Sequence, residues 1–169
     1  MHTEVQRFCE AIKRDFPQYF MGKTVLDCGS LDINGSNRYL FEKCNYTGID
    51  IATGKNVDIV TPVHEFKPAM DFDVVISTEM LEHYRHYINT LQNMFWLLKS
   101  KGLLLFTAAG TGRPEHGTTN MTPADSPMTH DYYCNITVDM ILQGLSPDDF
   151  SWFEISYVDT DIRFAGIKR

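Results

Sequence analysis

Residues 25–36 read VLDCGSLDINGS, and this stretch decides the fold. Its apolar residues predict a buried strand from Thr24 to Cys28, Gly29 and small polar residues predict a loop, and a helix is predicted to begin near Ser36. Glycine lets the backbone approach a ligand closely, and free N–H groups at the start of a helix attract polar or anionic groups. Because only two glycines are present, with five residues between them, the stretch indicates a nucleotide-type site without the G-x-G-x-x-G of a dinucleotide fold.

A second short strand, residues 46–51, carries Asp50 near its end. This acid follows Asp27 by about twenty residues, the spacing at which doubly wound α/β folds place a ribose-binding carboxylate. We therefore predict that Asp50 accepts hydrogen bonds from the ribose of an adenosine-containing ligand, in preference to an ordinary role as a strand-end cap.

The remaining elements complete an alternating pattern of strands and helices. An unbroken apolar run, Leu103–Thr107, is typical of a parallel strand that is buried on both faces. The other predictions are a leading helix with a Thr3/Gln6 capping box, a helix at 36–43, strands at 57–60 and 73–77, a helical stripe from Tyr87 to Leu98, a helix at 137–143, and a terminal hairpin formed by 152–158 and 162–167.

Three motifs occur in order along this pattern: GSLDINGS at 29–36, STEMLEH at 77–83 and GRPEHGT at 112–118. With them, the chain resembles a class I S-adenosylmethionine-dependent methyltransferase domain over nearly its whole length. The resemblance implies a Rossmann-like α/β fold, with a mostly parallel seven-stranded sheet, a C-terminal antiparallel hairpin and reduced helices on one face. It also implies one domain over residues 1–169 and S-adenosylmethionine as the cofactor.

The composition of the chain argues against several classes of binding partner. The net charge of −7 argues against general affinity for nucleic acid, because neutralising phosphates requires clustered Lys and Arg. The four cysteines have no C-x-x-C spacing and indicate reduced thiols rather than zinc ligands or disulfides. No run is long enough for a membrane span, and the N-terminus lacks signal-peptide character. We expect a cytoplasmic protein with a small-molecule acceptor, and an open sheet face compatible with a homodimer.

Ligands of open α/β sheets bind beyond the carboxyl ends of the strands. In many relatives an acid just past the third strand binds the adenine amino group, but Pro62 occupies that place here, which leaves a backbone N–H near Val63. The residues that we expect to bind the cofactor are Asp27, Gly29, Ser30, Leu31, Gly35, Asp50, Ile51, Val63, Ser77 and Glu79.

Three titratable residues, Glu79, Glu82 and His83, have the spacing i, i+3 and i+4, so a helix would place them on one face. Three roles remain open for them. His83 is a candidate general base, because an unperturbed histidine titrates near neutral pH. Alternatively, Glu79 and His83 bind a divalent metal together with His116 or Asp131. The third interpretation is structural: the carboxylates bond loop backbone and His83 packs.

The segment from Ala108 to Tyr133 has no periodicity, and a loop of this length in a compact domain is usually functional. We expect Arg113, Glu115, His130, Asp131 and Tyr132 to bind the substrate, with His116 as a second candidate base and Glu79 as the third catalytic candidate.

The absence of one motif bears on which atom of the acceptor is methylated. No Asn-Pro-Pro-Tyr or Asp-Pro-Pro-Tyr follows the fourth strand, so the signature of many N-methyltransferases is missing. We expect O-methylation of a small molecule, with a sugar or glycan precursor as the leading guess. The alternatives are a catalytically inactive methyltransferase-like domain that binds an adenosyl ligand or a protein partner, and a nicotinamide-dependent enzyme.

Overall fold

A seven-stranded sheet forms the centre of the computed structural model, which describes residues 2–169. The strands are β1 Thr24–Cys28, β2 Asn45–Asp50, β3 Ile59–Val60, β4 Phe72–Thr78, β5 Leu98–Ala109, β6 Phe150–Val158 and β7 Asp161–Lys168. Their order across the sheet is β3-β2-β1-β4-β5-β7-β6. The first five strands are parallel, and β7 lies antiparallel to both β5 and β6. The predicted mostly parallel sheet with a terminal hairpin is confirmed.

Helices are few. Within residues 2–169 the α-helices are α1 Thr3–Asp15, α2 Tyr87–Trp96 and α3 Val138–Gly144. Single 3-10 turns cover Pro17–Tyr19, Asn37–Leu40, Val63–Glu65, Leu81–His83, Pro123–Asp125 and Pro147–Asp149. None of the helices in this part of the chain has the length and apolar character needed to cross a membrane.

Strand β5 is buried on both faces, as its apolar sequence predicted. Leu104 and Phe106 pack in a cluster with residues of α2 and α3, whereas Leu103 and Leu105 pack in a second cluster with α1. Phe106 also stacks on Phe164 of the neighbouring β7, with ring centroids 4.9 Å apart. Each such side chain contributes about 1.5–3 kcal/mol by leaving water. The core thus fixes the middle of the sheet and leaves the loops at its carboxyl edge free for function.

The helix predicted at 36–43 is reduced to the single turn Asn37–Leu40. Ser36 does cap this turn, because its hydroxyl accepts from the backbone N–H of Arg38 at 3.2 Å. The chain then becomes extended at Phe41, whose ring stacks on Phe20 at 5.0 Å. This tertiary packing directs the chain straight into β2 and leaves no length for an α-helix.

Three smaller predictions were also wrong in detail. The N-cap of α1 is His2 and not Thr3, and the backbone carbonyl of His2 accepts from the backbone N–H of Gln6 at 3.2 Å. Strand β3 pairs over two residues rather than four, because the Asp58 carboxylate accepts the backbone N–H of Gly48 at 2.7 Å just before pairing begins. Leu98 belongs to β5 rather than to the helical stripe of α2.

Candidate active site

A cavity of about 560 Å³ opens at the carboxyl ends of β1 and β4. The strand order reverses between these two strands, and such a switch point is where open α/β sheets bind ligands. The loops after β1, β2 and β3 line one side of the cavity, and the segments after β4 and β5 line the other. His2, just before α1, also reaches the lining. A volume of this size lies in the range of small-molecule sites.

The loop after β1 begins with a glycine that no other residue replaces without strain. Gly29 has a φ of 77°, in the left-handed region. A Cβ atom at this position would lie 2.6 Å from Cγ of Met80, so the loop lies directly against the segment that follows β4. The two walls of the cavity therefore meet at this point, and the missing side chain leaves the space that Met80 occupies.

Asp27, near the end of β1, is buried and forms hydrogen bonds with residues that flank this loop. Its carboxylate accepts hydrogen bonds from the Tyr46 hydroxyl at 2.5 Å and from Nδ2 of Asn37 at 3.2 Å. Burial raises the pKa of Asp27 to about 6, although these two hydrogen bonds act in the opposite direction. Both carboxylate oxygens are engaged with the protein, so Asp27 holds the loop in position.

Asp50 lies at the end of β2 on the same side of the cavity. Its carboxylate accepts the backbone N–H of Leu31 at 3.2 Å and that of Ala52 at 2.9 Å. Burial raises the pKa of Asp50 above its ordinary value, and the backbone donors oppose that rise. Each carboxylate oxygen has capacity for a further donor. Asp50 therefore lines the cavity with spare acceptor capacity and is connected to the β1 loop, and its binding of a ribose stays a prediction.

The place where many relatives carry an adenine-binding acid is apolar here. Pro62 precedes the turn Val63–Glu65, and buried Val63 lines the cavity. The next residue, His64, does not replace the missing acid, because its Nδ1 forms a hydrogen bond with the Tyr84 hydroxyl at 3.0 Å. In this part of the described chain, the residues expected to meet an adenine are thus a backbone segment and an aliphatic side chain.

Glu79 stands at the other side of the cavity in a strained conformation. Its φ is 55°, a left-handed value that is uncommon for a residue with a side chain and that often marks functional sites. Its carboxylate accepts from the Thr107 hydroxyl at 2.8 Å and lies 3.5 Å from Nε2 of His2. Burial by itself would raise the pKa of Glu79, but these two partners outweigh it and leave the pKa below its ordinary value.

The same histidine connects Glu79 to the far end of the chain. Nε2 of His2 lies 3.2 Å from the Asp161 carboxylate, which also accepts from the Arg113 guanidinium at 2.9 Å. The contact with Glu79 raises the pKa of His2 despite its partial burial. His2, Glu79, Asp161 and Arg113 therefore form an alternating network of opposite charges at one corner of the cavity.

A second group, formed by Glu82, His83 and His116, lies outside this network. One potential ligand atom from each residue lies within 4.8 Å of the others. The rings of His83 and His116 meet edge to face at 4.9 Å, and Tyr133 packs against both. Burial and then the neighbouring His116 lower the pKa of His83 to about 4, so His83 is neutral at pH 7.

Glu82 is completely buried beside these rings. Its Oε1 accepts the backbone N–H of Ala109 at 3.1 Å, whereas its Oε2 finds no hydrogen-bond partner within residues 2–169. Burial, together with the charge of Glu79, raises the pKa of Glu82 well above its ordinary value.

The condition under which Glu79, Glu82 and His83 would share a helical face is not met. The left-handed backbone at Glu79 prevents a continuous helix, and only Leu81–His83 form a turn. Glu79 therefore joins the network of His2, and the other two residues join His116. The metal set that pairs Glu79 with His83 is not supported either, and its other candidate, Asp131, forms an ion pair with Arg85 at 2.7 Å.

The predicted ligand-binding residues fall into two groups. Most of them line the cavity: Asp27, Gly29, Ser30, Leu31, Gly35, Asp50, Ile51, Val63, Glu79, His83, Arg113, Glu115 and His116. The others lie outside its lining: Ser77, His130, Asp131 and Tyr132.

Each of these four side chains has another partner. The Ser77 hydroxyl donates to the carbonyl of Cys28 at 2.8 Å, and Nδ1 of His130 bonds the carbonyl of Pro127 at 3.0 Å. The Tyr132 hydroxyl donates to Sγ of Cys134, and together with Asp131 it borders a neighbouring, shallower cavity. Arg113, which was predicted to bind the substrate, lines the cavity but is paired with the Asp161 carboxylate at 2.9 Å.

Several lining residues were not predicted from sequence. They are His2, Asn37, Met80, Tyr84, Met121 and Met128. Met121 and Met128 are exposed in the structure. The signal for them in the sequence is an isolated methionine within a polar segment, a residue type that adaptable binding surfaces often use. His2 and Asp161, by contrast, carry no local signal of a site.

The comparisons agree with this architecture. Residues 1–135 match a family model described as a methyltransferase domain. No curated protein sequence matches the chain. The sheet and its helices superpose on solved methyltransferase structures over almost the entire chain, although sequence identity is low.

One such structure is 1,6-didemethyltoxoflavin-N1-methyltransferase from Burkholderia thailandensis, with bound S-adenosylhomocysteine. The TM-score is 0.68 at 17% identity, covering 97% of this chain and 78% of that one. Another is the N-methyltransferase NodS from Bradyrhizobium japonicum, with a TM-score of 0.63 at 13% identity over 98% and 97% of the two chains. A third is magnesium protoporphyrin IX methyltransferase from Synechocystis, with a TM-score of 0.64 at 13% identity over 98% and 78%.

The structural likeness confirms the predicted Rossmann-like fold of class I methyltransferases. The family model covers most of the sequence and includes β1 to β5 with the loops that line the cavity. The chain therefore belongs to the methyltransferase-domain family.

Proposed function

We propose that this methyltransferase domain uses S-adenosylmethionine to methylate a hydroxyl oxygen of a small-molecule acceptor. The observation that carries the proposal is the single cavity at the β1/β4 switch point. One side of it offers Asp50 and the backbone of the β1 loop, and the other side offers Glu79, His83 and His116. A carboxylate that can accept hydrogen bonds from a ribose and side chains suited to proton transfer thus face a common space.

The residues on the first side fit the cofactor. Gly29, Ser30 and Leu31 line the cavity, and the glycine lets a ligand lie close to the backbone of this loop. Asp50 would hold the ribose hydroxyls, the loop residues Ser30 and Leu31 would hold the amino-acid portion, and Val63 would lie against the adenine. When bound, S-adenosylmethionine supplies an electrophilic methyl group.

The residues on the second side fit an acceptor that must lose a proton. His116 bonds the carbonyl of Pro114 through Nδ1 at 3.1 Å, and in the tautomer with Nδ1–H the other ring nitrogen, Nε2, is free to accept. His83 is neutral at pH 7 because its pKa is about 4. His83 therefore offers an unprotonated ring nitrogen at neutral pH, and its ring lies 4.9 Å from that of His116, an arrangement that supports chemistry on a hydroxyl.

The size and polarity of the cavity support a small, hydroxyl-rich acceptor, and we propose a sugar or glycan precursor. Polar groups from the segment after β5 line this end, among them Glu115, Thr122, Asp125 and Ser126. The net charge of −7 disfavours nucleic acid as a substrate. Two of the superposed relatives are named for small-molecule acceptors, a toxoflavin precursor and magnesium protoporphyrin IX.

The test is transfer of a labelled methyl group from S-adenosylmethionine to fractionated small metabolites and to nucleotide sugars. We expect the label in a base-stable methyl ether with the native protein, and much less with Asp50→Ala. Label on nitrogen, or only on nucleic acid, would refute the proposal. Binding of S-adenosylhomocysteine without transfer to any fraction would instead support the inactive adenosyl-binding domain.

A further inference from the structure

The group formed by Glu82, His83 and His116 has a composition and an environment that the proton-transfer role does not account for. A completely buried carboxylate is costly unless it is neutralised or paired with a cation. Oε2 of Glu82 and Nδ1 of His83 are both buried without a hydrogen-bond partner among the described residues. Since buried polar atoms are nearly always satisfied, these two atoms indicate a missing partner.

From this we infer that Glu82, His83 and His116 bind a divalent first-row transition cation of the zinc type at the acceptor end of the cavity. Two imidazoles and one carboxylate form a ligand set that zinc and iron sites use when they leave positions open for water or substrate. Magnesium and calcium favour sites built from oxygen ligands alone.

The arrangement of the two rings fits a shared ion. Ligand atoms of the three residues lie within 4.8 Å of one another. Two imidazoles that each coordinate at about 2.0–2.1 Å leave their ring centroids about 5 Å apart. The observed separation is 4.9 Å with an interplanar angle of 89°. Small movements of the side chains would therefore complete the coordination.

The surrounding structure orients the ligands as outer contacts do in metal sites. The backbone N–H of Ala109 fixes one carboxylate oxygen of Glu82, and the carbonyl of Pro114 bonds Nδ1 of His116. Gly117 leaves room for the His83 ring, because a Cβ there would lie 2.7 Å from its Cε1.

A second group of candidate ligands, His2, Glu79 and Asp161, does not need a cation. Arg113 neutralises Asp161 at 2.9 Å, and a second guanidinium, that of Arg163, lies 3.9 Å from it. The Thr107 hydroxyl and the His2 ring satisfy Glu79. Nε2 of His2 also makes no hydrogen bond within residues 2–169, but it lies 3.2 Å from the Asp161 carboxylate and 3.5 Å from that of Glu79. The charges of this group are thus balanced within the protein, and it serves as an internal comparison for the site of Glu82.

The role of the cation rests on the proposed function. His83 and His116 would then act as ligands, and the cation would bind the acceptor hydroxyl at an open position and lower its pKa, so that its proton passes to water. His83 lines both the main cavity and the shallower one beside Tyr132, which places the ion where a sugar-type acceptor would enter.

The test uses the full chain, freed of metal with a chelator and titrated with Co²⁺ without S-adenosylmethionine. We expect visible absorption bands that saturate at one equivalent, disappear on adding Zn²⁺ and persist in excess Mg²⁺. His116→Ala should weaken binding at least about tenfold. His130→Ala, a matched histidine in the same segment but outside the cavity, and His2→Ala should bind as the native protein does.

Glu82→Gln provides a second variant with its own readout. It should lose Co²⁺ binding, while its melting temperature without metal stays equal to or above that of the native protein, because a buried carboxylate has been neutralised. No absorption bands at one equivalent, unchanged binding in His116→Ala, or binding lost in His2→Ala would each overturn the inference. Methyl transfer that persists in chelator-treated protein would refute the role of the cation and leave the proposed function standing.

Discussion

Replacing Gly29 with alanine tests whether the loop after β1 and the segment after β4 meet as tightly as the structure shows. The new Cβ would lie 2.6 Å from Cγ and 2.8 Å from Cβ of Met80. Since no real Cβ contact is this short, Met80 must move, and it lies in the lining of the cavity. The substitution therefore perturbs both stability and the ligand site.

The expected magnitude combines three effects. A left-handed backbone costs a residue with a Cβ about 1–2 kcal/mol, and overpacking adds about 1–3 kcal/mol. Alanine also lowers the conformational entropy of the unfolded chain, which offsets about 0.4–1 kcal/mol of this loss. Gly29→Ala should thus lower the free energy of unfolding by about 2–4 kcal/mol. Gly22→Ala is the matched control, because its φ is 65° and nothing lies within 4 Å of the added Cβ, so its loss should be about 1 kcal/mol or less.

Urea unfolding measures these losses, and calorimetry with S-adenosylhomocysteine measures the site. Gly29→Ala should weaken binding of this ligand, whereas Gly22→Ala should not. Adding Met80→Ala to Gly29→Ala should recover part of the lost stability, because it removes Cγ, the nearer of the two obstructing atoms, while Cβ of residue 80 remains. If the two glycine variants are equally stable, or if the Met80 change makes Gly29→Ala still less stable, the proposed contact between the two walls is refuted.

Two further predictions concern the charged groups around the cavity. Asp50→Ala should weaken S-adenosylhomocysteine binding by about 1.5–3 kcal/mol, the range for hydrogen bonds to a charged group, as measured by calorimetry, and unchanged affinity would remove Asp50 from the ribose site. The raised pKa of His2 predicts that its pairing with Glu79 and Asp161, beside Arg113, stabilises the fold fully below about pH 6.5 and that this stabilisation fades as pH rises through the raised value. His2→Ala should therefore be less stable than the native protein by at most about 1 kcal/mol at about pH 6 and equally stable at about pH 9, because the pair is partly exposed. A difference that stays constant between these two pH values in urea unfolding would contradict the pairing.

The sequence predicted the elements whose pattern is local. The apolar run around Leu104 and Phe106 identified a strand buried on both faces, and Thr137 correctly marked the start of α3, because its hydroxyl accepts from the backbone N–H of Met140. The turn at Asn37–Leu40 was overpredicted as a helix, because the stack of Phe41 on Phe20 is a tertiary contact that no local pattern reveals.

The candidate site shows the same limit. Asp50 was placed by its spacing from Asp27, a property of the fold that is visible in sequence. The separation of Glu79 from His83 depends on one left-handed residue, and no propensity indicates that glutamate adopts this conformation. His2 and Asp161 come from opposite ends of the chain and meet because α1 packs on the sheet where β7 lies beside β5. Such contacts follow from topology and not from neighbours along the chain.

The most direct test of the central claim is thermal unfolding of the metal-free protein with S-adenosylmethionine, S-adenosylhomocysteine or NAD. A ligand that binds only the folded state stabilises it by about 2.7 kcal/mol at one hundred times its Kd. We expect that both adenosyl compounds raise the melting temperature, that Asp50→Ala reduces the shift, and that NAD has no effect. A shift with NAD alone, or no shift with either adenosyl compound, would contradict it.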